Sequence, residues 1–187
     1  IAPDRMEEVL FGREGAGRGV EPGLLEEANG GVIYFDEVAD MPLGTQSKIL
    51  RVLVDQRFQR VGGNDKVQVD LRVISSTNRD LSAAILAGVF REELFHRLNV
   101  VPIAVPSLEE RREDIPVLAD HFITLLNTVQ GLPLRRLADD ASALLQTMHC
   151  QGNQRQLKNW IERALILGES GGVISASELP ATEDNTT

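Results

Sequence analysis

The sequence has little cysteine and no long apolar run. Its 187 residues include one cysteine, Cys150, so no internal disulfide can form. Proteins of reducing compartments keep their thiols free, and this usage predicts a cytoplasmic protein. A membrane-crossing helix needs about 20 consecutive apolar residues, and no stretch of the sequence approaches that length. These absences exclude a disulfide-stapled domain and favour a globular chain without a membrane span.

Positive charge is also in short supply. The chain has 19 lysines and arginines against 28 aspartates and glutamates, which gives a formal net charge of −9. An acidic surface repels nucleic-acid phosphates. The composition therefore predicts no direct nucleic-acid binding by this chain, and any role at a promoter would need a separate domain.

Familiar metal and nucleophile signatures are missing as well. The three histidines, His96, His121 and His149, have no metal-ligand spacing, and one cysteine does not complete a zinc site. No Gly-x-Ser-x-Gly motif occurs. We expect neither zinc chemistry nor a serine nucleophile, and we expect Cys150 to be a small packed side chain.

The most informative feature present is an apolar strand that ends in two acids. Residues 32–35 read Val-Ile-Tyr-Phe, and Asp36 and Glu37 follow directly. A buried strand delivers such residues to the carboxyl edge of a sheet, where α/β proteins bind ligands. The first acid of such a pair can hold Mg²⁺, directly or through water, and the second can polarise an attacking water. The alternative is a core strand that simply leaves into solvent.

Periodicity divides the chain into an α/β part and a helical part. The predicted domains are an α/β core over residues 1–107, a helical lid over 108–175 and a polar tail over 176–187. Expected strands are 32–35, 58–61, 66–75 and 100–105, with a hairpin turn at 62–65 and a glycine-rich loop at 13–22. Expected helices are 5–10, 23–28, 42–56, 80–87, 91–98, 112–129, 139–149 and 153–167.

Six ordered motifs resemble one protein family. They are residues 36–42, Arg60-Val61-Gly62-Gly63, Ser76-Thr77-Asn78, residues 90–99, residues 111–116 and residues 152–157. In this order and spacing they resemble the AAA+ domain of bacterial enhancer-binding proteins, the ATP-driven activators of sigma-54 RNA polymerase. Within that family the chain looks most like the NtrX-type response regulators of nitrogen metabolism. The resemblance covers residues 3–179 and implies a parallel sheet core, a helical lid, ATP with Mg²⁺ as cofactors, and a ring oligomer.

The resemblance implies a role for each site residue. The implied residues are Asp36 for Mg²⁺, Glu37 for the attacking water, Asn78 as sensor I, Arg91 and Arg97 as arginines that reach the neighbouring subunit's ATP, and Arg155 as sensor II. Other interpretations stay open. Asn78 could be a strand-terminating turn residue, and the arginine pair could be solvated surface residues.

The family's phosphate loop does not occur in the sequence. There is no Gly-x₄-Gly-Lys-[Ser/Thr], so the backbone donors and the lysine that hold phosphates are lacking. We therefore expect an N-terminally truncated piece that is inactive as an ATP hydrolase by itself. The family's sheet order of 5-1-4-3-2 implies that central strand 1 is missing, so we expect the piece to self-associate or to pack loosely up to about residue 100. Full-length relatives reach a sensor kinase and DNA through a receiver domain and a helix-turn-helix domain.

Two segments depart from the family pattern. After Phe11-Gly12, residues 13–22 form a shorter segment than the one that carries Gly-Ala-Phe-Thr-Gly-Ala in relatives, and they lack its Phe-Thr pair, which argues against direct contact with sigma-54 polymerase. Cys150-Gln151 replaces the usual Trp-Pro, and Gln154 replaces Val before Arg155. Two functions stay open: an ATP-hydrolysing module of a sigma-54-type regulator, and a non-catalytic oligomerisation module of a response regulator that controls transcription by occupying DNA. Residues 90–99 and Arg60-Val61-Gly62-Gly63 disfavour a clamp-loader or protease-type remodeller.

Overall fold

The computed structural model describes residue 2 and residues 5–15, 19–168 and 172–180. The chain divides into two compact units, Ile1–Ile103 and Ala104–Thr187. Most of the predicted polar tail, residues 181–187, lies outside the described residues. No helix in the described ranges is long and apolar enough to cross a membrane.

The first unit begins with short elements around the glycine-rich segment. They are α1 (Met6–Phe11), β1 (Arg13–Gly15), β2 (Gly19–Glu21), α2 (Leu24–Glu27) and β3 (Val32–Phe35). The prediction of a loop over 13–22 was wrong, because β1 and β2 pair antiparallel. Arg13 lies opposite Glu21, and their side chains form an ion pair at 2.7 Å that joins the two strands. The glycines of this segment predicted a loop. The ion pair between opposite residues instead stabilises two paired strands.

The rest of the first unit follows the predicted order closely. Its elements are α3 (Leu43–Asp55), β4 (Arg57–Gln59), β5 (Lys66–Gln68), β6 (Arg72–Ser75), α4 (Leu81–Leu86) and α5 (Glu92–Leu98). The predicted hairpin is confirmed by the antiparallel pairing of β4 with β5. The predicted helix start at Asp80 is confirmed too, since its carboxylate accepts hydrogen bonds from the Ser82 and Ala83 amides at 2.8 and 3.2 Å. The single run predicted over 66–75 is two strands, because β5 pairs with β4 whereas β6 pairs with β3.

The sheet that positions the acid pair consists of β3 and β6. They run parallel, with Val32 opposite Arg72 and Phe35 opposite Ser75. Ile33 and Phe35 face the core. Val32 and Tyr34 lie on the other face and are 55% and 57% exposed. Apolar residues on both faces are typical of a parallel sheet whose two faces are covered.

The strand predicted over residues 100–105 is not formed. These residues carry no strand, and Val100, Val101, Ile103 and Val105 are all more than 70% exposed. A strand exists only when its backbone pairs with a neighbour, and β3 is the one strand that pairs with β6 among the described residues. The segment has therefore not moved across to β6. Self-association of the chain stays a prediction.

In the core of the first unit, α3 and α5 pack against the β4–β5 hairpin and the β3–β6 sheet. Ile49 and Val52 of α3 and Leu94 of α5 are at most 3% exposed and belong to one apolar cluster with β3 and β4. Phe11 and Phe58 meet edge to face, with ring centroids 5.5 Å apart. This packing fixes α5 against α3, and that position matters for the arginines described below.

The second unit is a helical bundle with a small strand pair. It contains a 3₁₀ segment (Leu108–Asp114), α6 (Ile115–Gln130), β7 (Arg136–Leu137), α7 (Asp139–Thr147), α8 (Asn153–Leu167), β8 (Val173–Ile174) and a 3₁₀ turn (Ala176–Glu178). The three predicted helices are confirmed. The all-helical pattern expected after residue 108 was wrong, because β7 and β8 pair in parallel. Strands this short give no periodic signal in the sequence.

The lid extends further than predicted. The tail was expected to start at residue 176, yet Leu179 is 6% exposed and belongs to the lid core with Ile174. Ser175 and Glu178 form a capping box that folds this segment back. The described end of the chain is therefore part of the lid.

Arg135 holds that last segment in place. Its side chain is 3% exposed and pairs with Glu178 at 2.8 Å. The guanidinium also donates to the Ala164 carbonyl at 3.2 Å and to the Val173 carbonyl at 2.6 Å. One buried cation thus joins the end of α8, β8 and the final 3₁₀ turn.

Arg135→Met is expected to lower the free energy of unfolding of the lid by about 3 kcal/mol. Removing one partner of a buried pair leaves the other uncompensated, and the cost lies at the low end because the Glu178 side chain is 23% exposed. Urea unfolding followed by the fluorescence of Trp160, the chain's one tryptophan, reports the lid. Arg136→Met, at the exposed neighbouring position, is the matched control. Equal stability of the two variants would contradict the role of Arg135.

Candidate functional site

The acid pair lies where the two parallel strands end side by side. Asp36 and Glu37 follow β3, and Ser76 follows β6. The Ser76 hydroxyl donates to Asp36 Oδ1 at 2.7 Å, and the Glu37 amide donates to Ser76 Oγ at 3.3 Å. The Ser76 amide donates to the Phe35 carbonyl and the Ser76 carbonyl accepts from the Val38 amide, both at 2.9 Å. The ends of both strands are therefore fixed relative to each other.

Glu37 has an unusual backbone conformation. Its φ and ψ are 52° and 58°, in the left-handed region that costs a residue with a side chain about 1–2 kcal/mol. Its carboxylate Oε2 accepts a hydrogen bond from the Asn78 amide at 3.1 Å. Strained residues of this kind persist where surrounding bonds hold them, and they cluster at functional sites. Asp36 is exposed and Glu37 is half-buried, so solvent or a ligand can reach both.

Asn78 joins the acid pair through its backbone. Its N–H contacts Glu37, while its side chain is exposed and makes no hydrogen bond within the part of the chain that the structure describes. The structure brings together three of the sequence-predicted site residues: Asp36, Glu37 and Asn78. Sequence reasoning named Ser76 within the motif Ser76-Thr77-Asn78 but gave it no role, and the structure shows that it holds Asp36.

Arg91 is the N-cap of α5, and Arg97 lies in the last turn of that helix. Both are exposed. The Arg97 guanidinium donates to the Leu53 carbonyl at 2.8 Å, in the last turn of α3. Arg91 Nε lies 3.4 Å from the Leu43 carbonyl, at the start of the same helix. Both guanidinium groups are thus held beside α3 and remain exposed to solvent.

Arg155 lies in the first turn of α8, in the second unit. Its side chain is exposed and has no hydrogen bond or ion pair among the described residues. The start of α8 is well fixed, because the Asn153 amide donates to the Cys150 carbonyl at 2.8 Å and Asn153 Oδ1 accepts from the Leu108 amide at 2.7 Å. The departure from Trp-Pro at 150–151 therefore leaves an ordered helix start that presents Arg155.

Glu109 anchors the turn before α8. Its Oε1 accepts from the Cys150 amide at 2.9 Å and lies 3.3 Å from His149 Nδ1. The Cys150 amide, and to a lesser degree His149, hold the pKa of the Glu109 carboxyl below its ordinary value. Burial raises the pKa of the Cys150 thiol, which agrees with a packed and unreactive side chain.

The Asp36 and Ser76 side chains suit a Mg²⁺ ion that takes most of its ligands from water and phosphate. Among the described residues there is no group of three or more His, Cys, Asp or Glu side chains able to enclose a metal. The Asp36 carboxylate and the Ser76 hydroxyl are hard oxygen ligands that lie together. Mg²⁺ suits such a pair, since it keeps several waters and commonly takes one or two carboxylates plus phosphate oxygens.

Comparison with known families accounts for both units. The model of the sigma-54 interaction domain matches residues 1–104, and that of the AAA+ ATPase lid domain matches residues 109–187. The chain belongs to the sigma-54 interaction domain family of AAA+ proteins. The predicted fold class is thereby confirmed, with a parallel sheet in the core and a helical lid after it.

Relatives in this family are transcriptional regulators. The chain is 54% identical over 183 residues to the nitrogen assimilation regulatory protein NtrX of Azorhizobium caulinodans, spanning 96% of this chain and 40% of that protein. It is 42% identical over 185 residues to the transcriptional regulator NtrC of Klebsiella pneumoniae, spanning 97% of this chain and 39% of that protein. The chain thus spans about 40% of the length of these two relatives.

A solved structure has the same fold. The crystal structure of NtrX from Brucella abortus in complex with ATP has 51% sequence identity and a TM-score of 0.89, and the match covers 97% of this chain and 42% of that one. A second structure of that protein contains ADP. Membership of an NtrX-like branch of the sigma-54 interaction domain family, predicted from the six motifs, is confirmed.

Proposed function

We propose that the full-length protein binds ATP between adjacent subunits of a ring, hydrolyses it, and regulates transcription in a two-component system of nitrogen metabolism. The observation that carries the proposal is the cluster of Asp36, Glu37, Ser76 and Asn78 at the ends of β3 and β6. The single cysteine of the chain supports a location in a reducing compartment, the cytoplasm. The NtrX structure with bound ATP supports the same nucleotide here.

Each residue of the cluster has a distinct part in this proposal. Asp36, with the Ser76 hydroxyl, would hold Mg²⁺, which supplies charge neutralisation at the phosphates when bound. Glu37 accepts a proton from the attacking water, and its half-buried carboxylate is held by the Asn78 amide for that purpose. The Asn78 side-chain amide can donate to and accept from the same water.

Three exposed arginines, Arg91, Arg97 and Arg155, also have parts in this proposal. Arg91 and Arg97 are exposed cations, which suits groups that act on the γ-phosphate held by a neighbouring subunit. Charge supplied across an interface makes hydrolysis depend on assembly. Arg155 is exposed at the start of a lid helix and would contact the nucleotide of its own subunit.

A second function is favoured by the hairpin of β1 and β2. The segment 13–22 pairs with itself through Arg13 and Glu21 and has no Phe-Thr pair to offer sigma-54 polymerase. In this alternative the ring is a regulatory and oligomerisation module, and transcription is controlled by DNA occupancy through another domain.

ATP turnover by the full-length protein separates the two functions. Asp36→Ala should abolish turnover, whereas Asp40→Ala, at an exposed position paired with Arg79, should not. Absence of turnover in the unaltered protein would favour the second function.

The 187-residue chain alone is expected to bind ATP no more tightly than about millimolar. Glycine-rich backbone donors and one lysine supply most phosphate contacts in this kind of site, and the Gly-x₄-Gly-Lys-[Ser/Thr] motif that provides them does not occur in this sequence. Isothermal titration of the chain with Mg-ATP measures the affinity, and the full-length protein is the control. Micromolar binding by residues 1–187 would show that the remaining groups suffice.

A further inference from the structure

Gln46 is a buried polar side chain that the proposed site does not use directly. It lies in α3 and is 0% exposed. Its Nε2 donates to the Met41 carbonyl at 2.7 Å and to the Val89 carbonyl at 3.0 Å. Its Oε1 accepts from the Arg91 amide at 2.9 Å. Both donors and the acceptor oxygen of the amide are therefore engaged inside the core.

The three bonds join two functional segments. Met41 follows the 3₁₀ turn Val38–Asp40. The Asp40 amide of this turn donates to the Glu37 carbonyl at 2.9 Å. Arg91 is the N-cap of α5, the helix that carries Arg97. An apolar residue would fill this core position without the cost of burying an amide. What the glutamine adds is a fixed distance between the segment of the acid pair and the start of the arginine helix.

The arginine side depends on Gln46 more than the acid side does. Two of the three bonds go to the segment of Val89 and Arg91. The acid pair has independent support, because Ser76 and the Asn78 amide contact Asp36 and Glu37 directly. Loss of the amide should therefore release the start of α5 while the ends of β3 and β6 keep their geometry.

We infer that Gln46 is a positioning residue that sets the arginine helix α5, and with it Arg91 and Arg97, for action on the neighbouring subunit's nucleotide. The inference rests on the proposed trans role of these arginines. Gln46 does not touch the nucleotide in this scheme. It acts through the backbone of Arg91, and a displacement of about 1 Å at such a group can lower turnover about 100-fold.

The test uses Gln46→Met in the full-length protein, a substitution that keeps the volume and removes all three bonds. Turnover of Mg-ATP is expected to fall about 100-fold with little change in KM. Ile49→Val is the matched control, since Ile49 lies about one turn further along the same buried face of α3 and its apolar side chain makes no hydrogen bond. It should lower stability and leave turnover nearly unchanged. Normal turnover in Gln46→Met would overturn the inference.

Mixed rings show which side of the site Gln46 serves. Mixing Gln46→Met with Glu37→Gln subunits should restore turnover, because some interfaces then combine an intact acid pair with an intact arginine helix. Mixing Gln46→Met with Arg97→Ala should restore none, because both subunits lack a working arginine helix. Restoration by neither partner, or by Arg97→Ala, would show that Gln46 acts elsewhere and would overturn the inference.

Amide hydrogen exchange tests the same point without hydrolysis. In Gln46→Met the Arg91 amide should exchange at least about tenfold faster than in the unaltered protein, while Ser75 and Ser76 exchange as before. Unchanged exchange at Arg91 would overturn the inference whatever the kinetics. If Arg97→Ala and Asp36→Ala fail to complement each other, the trans role is wrong, and the exchange rate at Arg91 still decides whether Gln46 holds this helix.

Discussion

Arg97→Ala in the full-length protein is expected to lower kcat for ATP hydrolysis by about 10³–10⁵-fold. The transferred γ-phosphoryl group gains negative charge over its oxygens in the transition state, and a guanidinium placed there stabilises that charge. The exposed position of Arg97 at the end of α5 leaves it available to a neighbouring subunit. Its bond to the Leu53 carbonyl sets the direction of the side chain without neutralising it.

Steady-state turnover of assembled rings measures this effect, with assembly checked by light scattering. Arg51→Ala is the control for loss of an exposed positive charge, since Arg51 lies on the solvent side of α3. A fall of less than tenfold for Arg97→Ala in intact rings would show that Arg97 is a surface residue that anchors α5 and has no part in the reaction.

Glu37→Gln is expected to lower turnover by about 10²–10⁴-fold while ATP binding is kept. The amide oxygen of glutamine can still accept the Asn78 N–H that Glu37 Oε2 accepts at 3.1 Å, so the local backbone should stay in place. What the substitution removes is the capacity to take a proton from water. Nucleotide affinity and turnover, measured on the same preparation, separate the two effects.

Glu27→Gln is the matched control, because Glu27 is an exposed glutamate at the end of α2. It should change neither affinity nor rate. Unchanged turnover in Glu37→Gln would remove Glu37 from the reaction. Loss of binding together with turnover would mean that the left-handed backbone at this position depends on the carboxylate.

Much of the fold was predictable because its signals are local. Val32–Phe35 is a short apolar run typical of a buried strand, Asp80 caps α4 as its position suggests, and the turn at 62–65 joins β4 to β5. The strand predicted over residues 100–105 was wrong because strand formation there depends on a partner elsewhere in the chain. A run of apolar residues forms a strand only when another backbone is there to pair with it, and that partner is not a property of the segment itself.

The sequence predicted that Asp36, Glu37 and Asn78 lie together, but it did not predict the bonds that hold them. Their part in catalysis stays a prediction. Asp36 and Glu37 stand out as two acids after an apolar strand, whereas the left-handed backbone of Glu37 has no sequence signal. Gln46 reads as one polar residue among many in α3, and only tertiary structure reveals its three buried bonds. Arg135 is similar, since its pairing with Glu178 joins residues 43 positions apart.

In the proposed ring, a complete site combines the acid pair of one subunit with the arginines of the next. Mixing equal amounts of full-length Asp36→Ala and Arg97→Ala tests it most directly. Neither variant should turn over ATP alone, yet in randomly mixed rings about a quarter of the interfaces should hold both intact parts, and turnover should recover accordingly. No recovery in mixed rings of confirmed assembly would contradict action of the arginines on the neighbouring subunit's nucleotide.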